Sequence, residues 1–155
     1  MFIAQKAASR RAQVLSDQAQ LFALLTRDLI RTYERRRGIG LEEFFELPEY
    51  RKFVVSAYAC GFVCGDYSMM DGGLFEQMKS RPREHLGACQ FGGLRHWVHM
   101  LLRAERWADG YSSHVREALD SGALEVVATR LESDSSLLEP IVVEECDLKS
   151  ATAAR

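Results

Sequence analysis

The chain has 155 residues, of which 47% are hydrophobic and 27% are charged, and its formal net charge is −2. These values are typical of one globular domain and exclude a disordered or low-complexity protein. No apolar run reaches the roughly 18 residues of a transmembrane span, and the small negative charge excludes a bulk attraction to nucleic acid. The first residues contain no apolar h-region, and basic and polar residues continue through Gln13, so we expect no secretory signal and interpret the four cysteines as reduced thiols of a cytoplasmic protein.

Charge is distributed unevenly along the chain. Residues 1–40 carry eight basic and three acidic side chains, whereas residues 131–155 carry two basic and six acidic ones. Such segments are most often solvated, but the basic head and the acidic tail can also pair with each other or with charged partners. We divide the chain into one α-helical domain over residues 1–132 and an acidic C-terminal tail or strap over 133–155.

The hydrophobic pattern predicts a mostly α protein. Apolar residues at three- and four-residue steps predict a long basic helix over residues 1–38 that ends at Gly38. Asp109 is placed to cap a helix that begins at Gly110. A compact bundle of short helices follows the long one, and Pro140–Glu144 is the one segment that favours a short C-terminal strand. The shorter helices are predicted over 41–45, from Pro48 to Gly61, and over 74–79, 82–89, 94–107, 110–119 and 123–131.

The helix predicted over 94–107 separates apolar from basic residues. A helical wheel places Leu94, Trp97 and Leu101 on a broad apolar arc, and the basic side chains fall on the remaining narrow arc. A solvated face is the simpler interpretation. The functional one is a docking surface for an anionic partner, because arginine contacts carboxylate or phosphate with two hydrogen bonds. The narrow arc consists of Arg95, His96, His99, Arg103 and Arg106.

Glu105 projects from the apolar arc of the same helix. A carboxylate in that position needs hydrogen-bond partners, since an unpaired buried charge costs several kcal/mol, on the order of a whole core side chain. We expect the backbone N–H groups of residues 111–113 to supply them, so that Glu105 joins two helices across the turn 108–110; an arginine from another element is the alternative partner.

Residues 94–132 resemble the closing segment of a family of small bacterial proteins known only as a domain of unknown function. The shared pattern is an apolar helix that ends in Arg-Ala-Glu-Arg-aromatic, an acid-Gly turn, and two further helices separated by a small-residue-Gly turn. Tyr58–Tyr67 resembles an earlier element of that family. The resemblance implies a helical hairpin and an accessory role in bacteria, plasmids or phages, with no activity attached. We predict structural roles for Glu105, Trp107, Asp109 and Gly110. The matching positions are Arg103, Glu105, Arg106, Trp107, Gly110, Gly122 and Leu131.

A zinc site is the sharpest chemical alternative. Cys60-x3-Cys64 is followed by His85-x3-Cys89, and this spacing lies within the range of structural zinc sites. The cysteines stand among aromatic and aliphatic residues, which favours buried thiols instead. We therefore predict no cofactor and keep a zinc-stabilised interaction module as a second alternative.

No enzymatic motif is present in the sequence. It contains neither a phosphate-binding glycine loop nor a nucleophile elbow, and the cysteines show no catalytic signature. We predict a non-enzymatic protein that acts by protein–protein contact, an accessory or counter-defence factor of a bacterial mobile element. The first alternative is a nucleic-acid-binding regulator, although the last helix offers only Glu125, Thr129 and Arg130 for base contacts. A homodimer formed through the long helix is a further option, and no membrane partner is expected.

Overall fold

The computed structural model describes residues 2–63 and 72–133, and within them the chain forms eight α-helices and no strand. The predicted mostly α fold is confirmed. The expected strand over 140–144 and nearly all of the acidic tail lie outside the described residues. The helices are α1 (Phe2–Arg35), α2 (Leu41–Glu46), α3 (Pro48–Ala59), α4 (Gly72–Ser80), α5 (Pro82–His85), α6 (Phe91–Trp107), α7 (His114–Asp120) and α8 (Ala123–Ser133).

The long helix α1 is the scaffold of the fold because it packs against both α3 and α8. Its inner face carries Phe22, whose ring lies 5.4 Å from that of Phe53 and 4.3 Å from that of Phe62. These three rings are fully buried, so burial of aromatic surface supplies much of the stability of this contact. The outer face of α1 is exposed.

Charged and polar side chains join α1 to the helices α7 and α8. The Arg27 guanidinium donates to both carboxylate oxygens of Glu132, at 2.9 and 3.1 Å, and also to Glu125 and Thr129 on the same face of α8. Tyr33 donates to Asp120 at the end of α7. The basic charge of α1 is therefore used in part to hold the bundle together.

Several predicted helix boundaries are wrong, and local geometry explains each one. The predicted helix 82–89 ends at His85, because the N–H groups of Leu86 and Gly87 both donate to the carbonyl oxygen of Pro82, at 2.8 and 3.0 Å, and the regular helical pattern stops there. The helix predicted from Leu94 begins at Phe91 instead. Two glycines lie in its first turn, where the N–H groups have no partner within the helix and glycine is tolerated. By contrast, α3 starts at Pro48 and its C-terminal turn closes on Gly61, which has φ of 73°, as predicted.

Candidate functional site

Helix α6 lies in the core, and the structure corrects the expected basic arc on it. The side chain of His99 is only 2% exposed, and Arg95 is half-buried with its Nε 2.7 Å from the carbonyl oxygen of Gly61. Burial, followed by the neighbouring charges of Arg103 and His96, lowers the pKa of His99. The five predicted binding residues do not form one exposed face. A wheel built on α6 alone could not show which other parts of the fold cover this side of the helix.

Exposure within that arc is greatest at its C-terminal end. Arg106 is exposed, whereas Arg95, His96 and Arg103 are half-buried. The exposed cationic group therefore lies in the last turn of α6, where positive charge is favoured by the helix dipole. This places it directly before the turn that joins α6 to α7.

Glu105 holds that turn from its inner side. Its Oε1 accepts hydrogen bonds from Ser113 Oγ at 2.6 Å and from Tyr50 Oη at 3.1 Å, and its Oε2 accepts from the backbone N–H of Val115 at 3.2 Å. The predicted link between the two helices is present, but the expected backbone donors at 111–113 are wrong. Helix α7 begins at His114 rather than at Gly110, so its first N–H groups lie two or more residues further along.

The hydroxyl group of Tyr50 adds a third helix, α3, to this junction. Burial, followed by the charge of the Glu105 carboxylate, raises the pKa of Tyr50, so this side chain stays a hydrogen-bond donor at neutral pH. No sequence pattern predicts this contact, because the two residues are 55 positions apart. One carboxylate thus fixes α3, α6 and the start of α7 relative to one another.

The residues between α6 and α7 form a tight turn. The predicted helix cap at Asp109 is wrong: its Oδ1 accepts from the backbone N–H of Tyr111 at 3.0 Å, which closes the turn, and Ser113 caps α7 by accepting from the N–H of Arg116. Gly110 has φ of 82°, a conformation that favours glycine. These contacts hold the backbone of the turn in one arrangement.

Two aromatic side chains project from this turn into solvent. Trp107 is 79% exposed and Tyr111 is 90% exposed, the two highest exposures among the large hydrophobic residues of the described chain. We call residues 107–111 the aromatic turn. The expected structural role of Trp107 is wrong, since its side chain adds little to the packing, and Tyr111 was missed because nothing in its spacing distinguishes it from a core residue. A turn that presents tryptophan, tyrosine and a neighbouring arginine has the composition of protein–protein hot spots.

The three expected zinc ligands that the structure describes, Cys60, His85 and Cys89, are not brought together as a metal site. Within 2–63 and 72–133, no group of three or more His, Cys, Asp or Glu side chains is arranged to hold a metal ion. Burial raises the pKa of both Cys60 and Cys89, which disfavours the thiolate that zinc requires. Cys64 lies outside the described residues, and with it one of the four expected ligands.

The last helix does not present the side chains that a DNA-reading helix needs. Glu125 and Thr129 face Arg27 of α1. Arg130 donates to the backbone oxygens of Leu86 and Cys89, at 2.8 and 2.7 Å, which satisfies carbonyl groups after α5. All three polar residues of α8 considered for base contacts thus form hydrogen bonds with other residues of the protein.

Comparison of the chain with protein-family models, with curated proteins and with solved structures finds no match. The resemblance of residues 94–132 to a bacterial domain of unknown function therefore stays a prediction. Among the helices that the structure describes, none combines the length and the apolar character needed to cross a lipid bilayer. Over the residues that the structure describes, the fold and the site define a helical protein whose aromatic turn is held in place by a half-buried carboxylate.

Proposed function

We propose that this protein is a non-enzymatic binding protein and that the aromatic turn is its contact with a protein partner. The observation that carries the proposal is the exposure of Trp107 and Tyr111 on a turn whose backbone is fixed by Glu105, Asp109 and Gly110. Large aromatic side chains lose few rotamers on binding, and a turn that is already ordered reduces the entropy lost on association.

The chemistry around the turn indicates what the partner offers. Trp107 and Tyr111 require an apolar pocket, and the exposed Arg106 favours a carboxylate at its edge. A protein surface supplies both, whereas a nucleic acid would require a broader basic surface than the end of α6 provides. The finer form of the proposal is an accessory or counter-defence factor of a bacterial mobile element that acts in the cytoplasm; it is supported by the family resemblance and by the composition alone.

The test is affinity capture from the native host with the tagged full chain. Trp107→Ala/Tyr111→Ala should lose a captured protein by more than tenfold, since hot-spot aromatics each contribute at least about 2 kcal/mol. The thermal midpoint should not change, because both side chains are exposed. Tyr58→Ala is the matched control, as it removes an aromatic side chain that is 47% exposed on α3.

Three outcomes would contradict the proposal. The first is a captured protein that is retained equally by wild type and by Trp107→Ala/Tyr111→Ala. The second is a partner that is lost only when residues 133–155 are removed. The third is salt-sensitive retention of the wild type on heparin or DNA, which would favour the nucleic-acid alternative.

A further inference from the structure

The outer face of α1 carries a second surface that the proposed function does not use. Six of its residues follow one another at steps of four, three, four, three and four, which is the spacing of the a and d positions of a coiled coil. We call this face the heptad stripe. Its members are Arg10, Val14, Asp17, Leu21, Leu24 and Asp28.

The heptad stripe is exposed although half of its members are apolar. Val14 is 53% exposed, Leu21 48% and Leu24 55%, and Arg10 and Asp17 are also exposed. The side chain of Asp28 is 47% exposed and lies 3.7 Å from Arg31 of the same helix. The core-facing residues of α1 lie on the opposite side of the helix, and at the C-terminal end of the stripe Asp28 lines a groove together with Glu49 and Lys52 of α3.

We infer that the heptad stripe is a homodimer surface on which α1 of a second copy packs in the antiparallel direction. The charge pattern carries this assignment. A parallel, in-register pair would place Arg10 on Arg10, Asp17 on Asp17 and Asp28 on Asp28, and like charges in facing positions are destabilising. One antiparallel register instead places Arg10 opposite Asp28 and Val14 opposite Leu24. The twofold axis of the dimer repeats each of these contacts, so that each occurs twice.

The neighbouring antiparallel register is less favourable. A shift of one heptad brings Leu21 opposite Leu24 but also sets Asp17 opposite Asp28. In the proposed register Asp17 faces Leu21 at the centre, which limits the affinity. An interface made of six stripe residues from each copy is small and reversible, so we expect a dissociation constant on the order of 10–100 µM.

Sedimentation equilibrium of the full chain between 5 µM and 1 mM tests the inference. The wild type should move from a 17.6 kDa monomer toward twice that mass as the concentration rises. Asp28→Arg should weaken association about tenfold, and Arg10→Asp/Asp28→Arg should restore it to within about threefold. Asp17→Leu should tighten it, whereas Glu34→Arg, a charge reversal elsewhere on the exposed surface of α1, should leave it unchanged.

Disulfide trapping tests the direction of the two helices. In the proposed register Val14 faces Leu24, so Val14→Cys/Leu24→Cys should form an intermolecular disulfide between these two positions, identified by peptide mapping. Val14→Cys alone should not link to itself, because the two copies of position 14 stand about 15 Å apart at 1.5 Å per residue. A wild type that stays monomeric at 1 mM, an ineffective Asp28→Arg, a charge swap without rescue, or a link from Val14→Cys to itself would each overturn the inference.

The dimer surface and the aromatic turn can be tested separately. Trp107→Ala/Tyr111→Ala should dimerise like the wild type, because these residues lie on α6 and the following turn rather than on α1. Loss of dimerisation in this variant would overturn the assignment of the dimer to the heptad stripe. Retention of dimerisation with loss of the captured partner would support both proposals.

Discussion

Removing the carboxylate of Glu105 should destabilise the fold by about 3 kcal/mol. In Glu105→Ala the Ser113 hydroxyl and the Val115 N–H both lose their acceptor, and both residues are buried. A buried donor left without a partner costs about 1–3 kcal/mol, whereas the half-buried Tyr50 hydroxyl can turn to water and loses less. Two such donors at about 1.5 kcal/mol each give the expected value.

The variant Glu105→Gln removes the charge of this side chain but keeps its shape. Its amide oxygen still accepts from the two hydroxyl groups, but its NH2 group then faces the N–H of Val115 and one hydrogen bond is lost. We expect a loss of about 1–2 kcal/mol, between wild type and Glu105→Ala. Because 1 kcal/mol corresponds to about 2–4 °C for a chain of this length, the thermal midpoint of Glu105→Ala should fall by about 6–12 °C.

Urea unfolding followed by circular dichroism at pH 7 measures these differences. The matched control is Glu84→Ala, which removes an exposed glutamate that pairs with Arg81 at 3.3 Å and should cost less than about 0.5 kcal/mol. If Glu105→Ala loses no more stability than the control, the Glu105 carboxylate does not stabilise the fold and the prediction is wrong. It is also refuted if Glu105→Gln is as unstable as Glu105→Ala, since the amide oxygen would then contribute nothing.

Three further predictions concern other parts of the fold. Arg27→Ala should cost about 1–2 kcal/mol in urea unfolding, because the link from α1 to Glu132 and its neighbours on α8 is lost; an unchanged midpoint would contradict this. Gly110→Ala should cost about 1 kcal/mol at φ of 82°, and Gly110→Asn less; equal stability of all three proteins would show that this turn relaxes freely. The native pKa of His99 lies below its ordinary value of 6.5, so the unfolded chain takes up a proton first as pH falls: stability should decrease below about pH 6.5 and level off below the native pKa. His99→Gln should reduce the difference between urea midpoints at pH 7.5 and 5.5, and an unreduced difference would contradict the assignment.

The fold could be predicted from the sequence where local signals dominate. The apolar periodicity of α1 predicts a long helix, although this helix ends at Arg35 and not at Gly38. Pro48 at the start of α3 and Gly61 after its end mark the boundaries of that helix through backbone chemistry, and the structure has them there. The start of α7 was misjudged because Asp109 and Ser113 are both good capping residues. Ser113 is the residue that caps the helix, and it also donates to Glu105, a tertiary interaction that spacing alone does not show.

The candidate site was only partly predictable. Glu105 was recognisable because a carboxylate on an apolar arc requires partners, and the structure supplies them. The basic arc could not be predicted correctly, because a helical wheel describes one helix and not its neighbours. The wheel places His99 on the solvent side of the helix, although the structure shows that it is buried. Trp107 and Tyr111 carry no sequence signal for exposure, because aromatic residues next to a turn are as often packed inward.

The most direct test of the aromatic turn as a binding surface is photo-cross-linking in cells of the native host. Tyr111 is replaced by p-benzoylphenylalanine, with the same replacement at Tyr58 as the reference position on α3. The proposed function predicts one discrete covalent adduct with a different protein from position 111, which disappears when Trp107→Ala is added, and no such adduct from position 58. No adduct from position 111, or the same adduct from both positions, would contradict it.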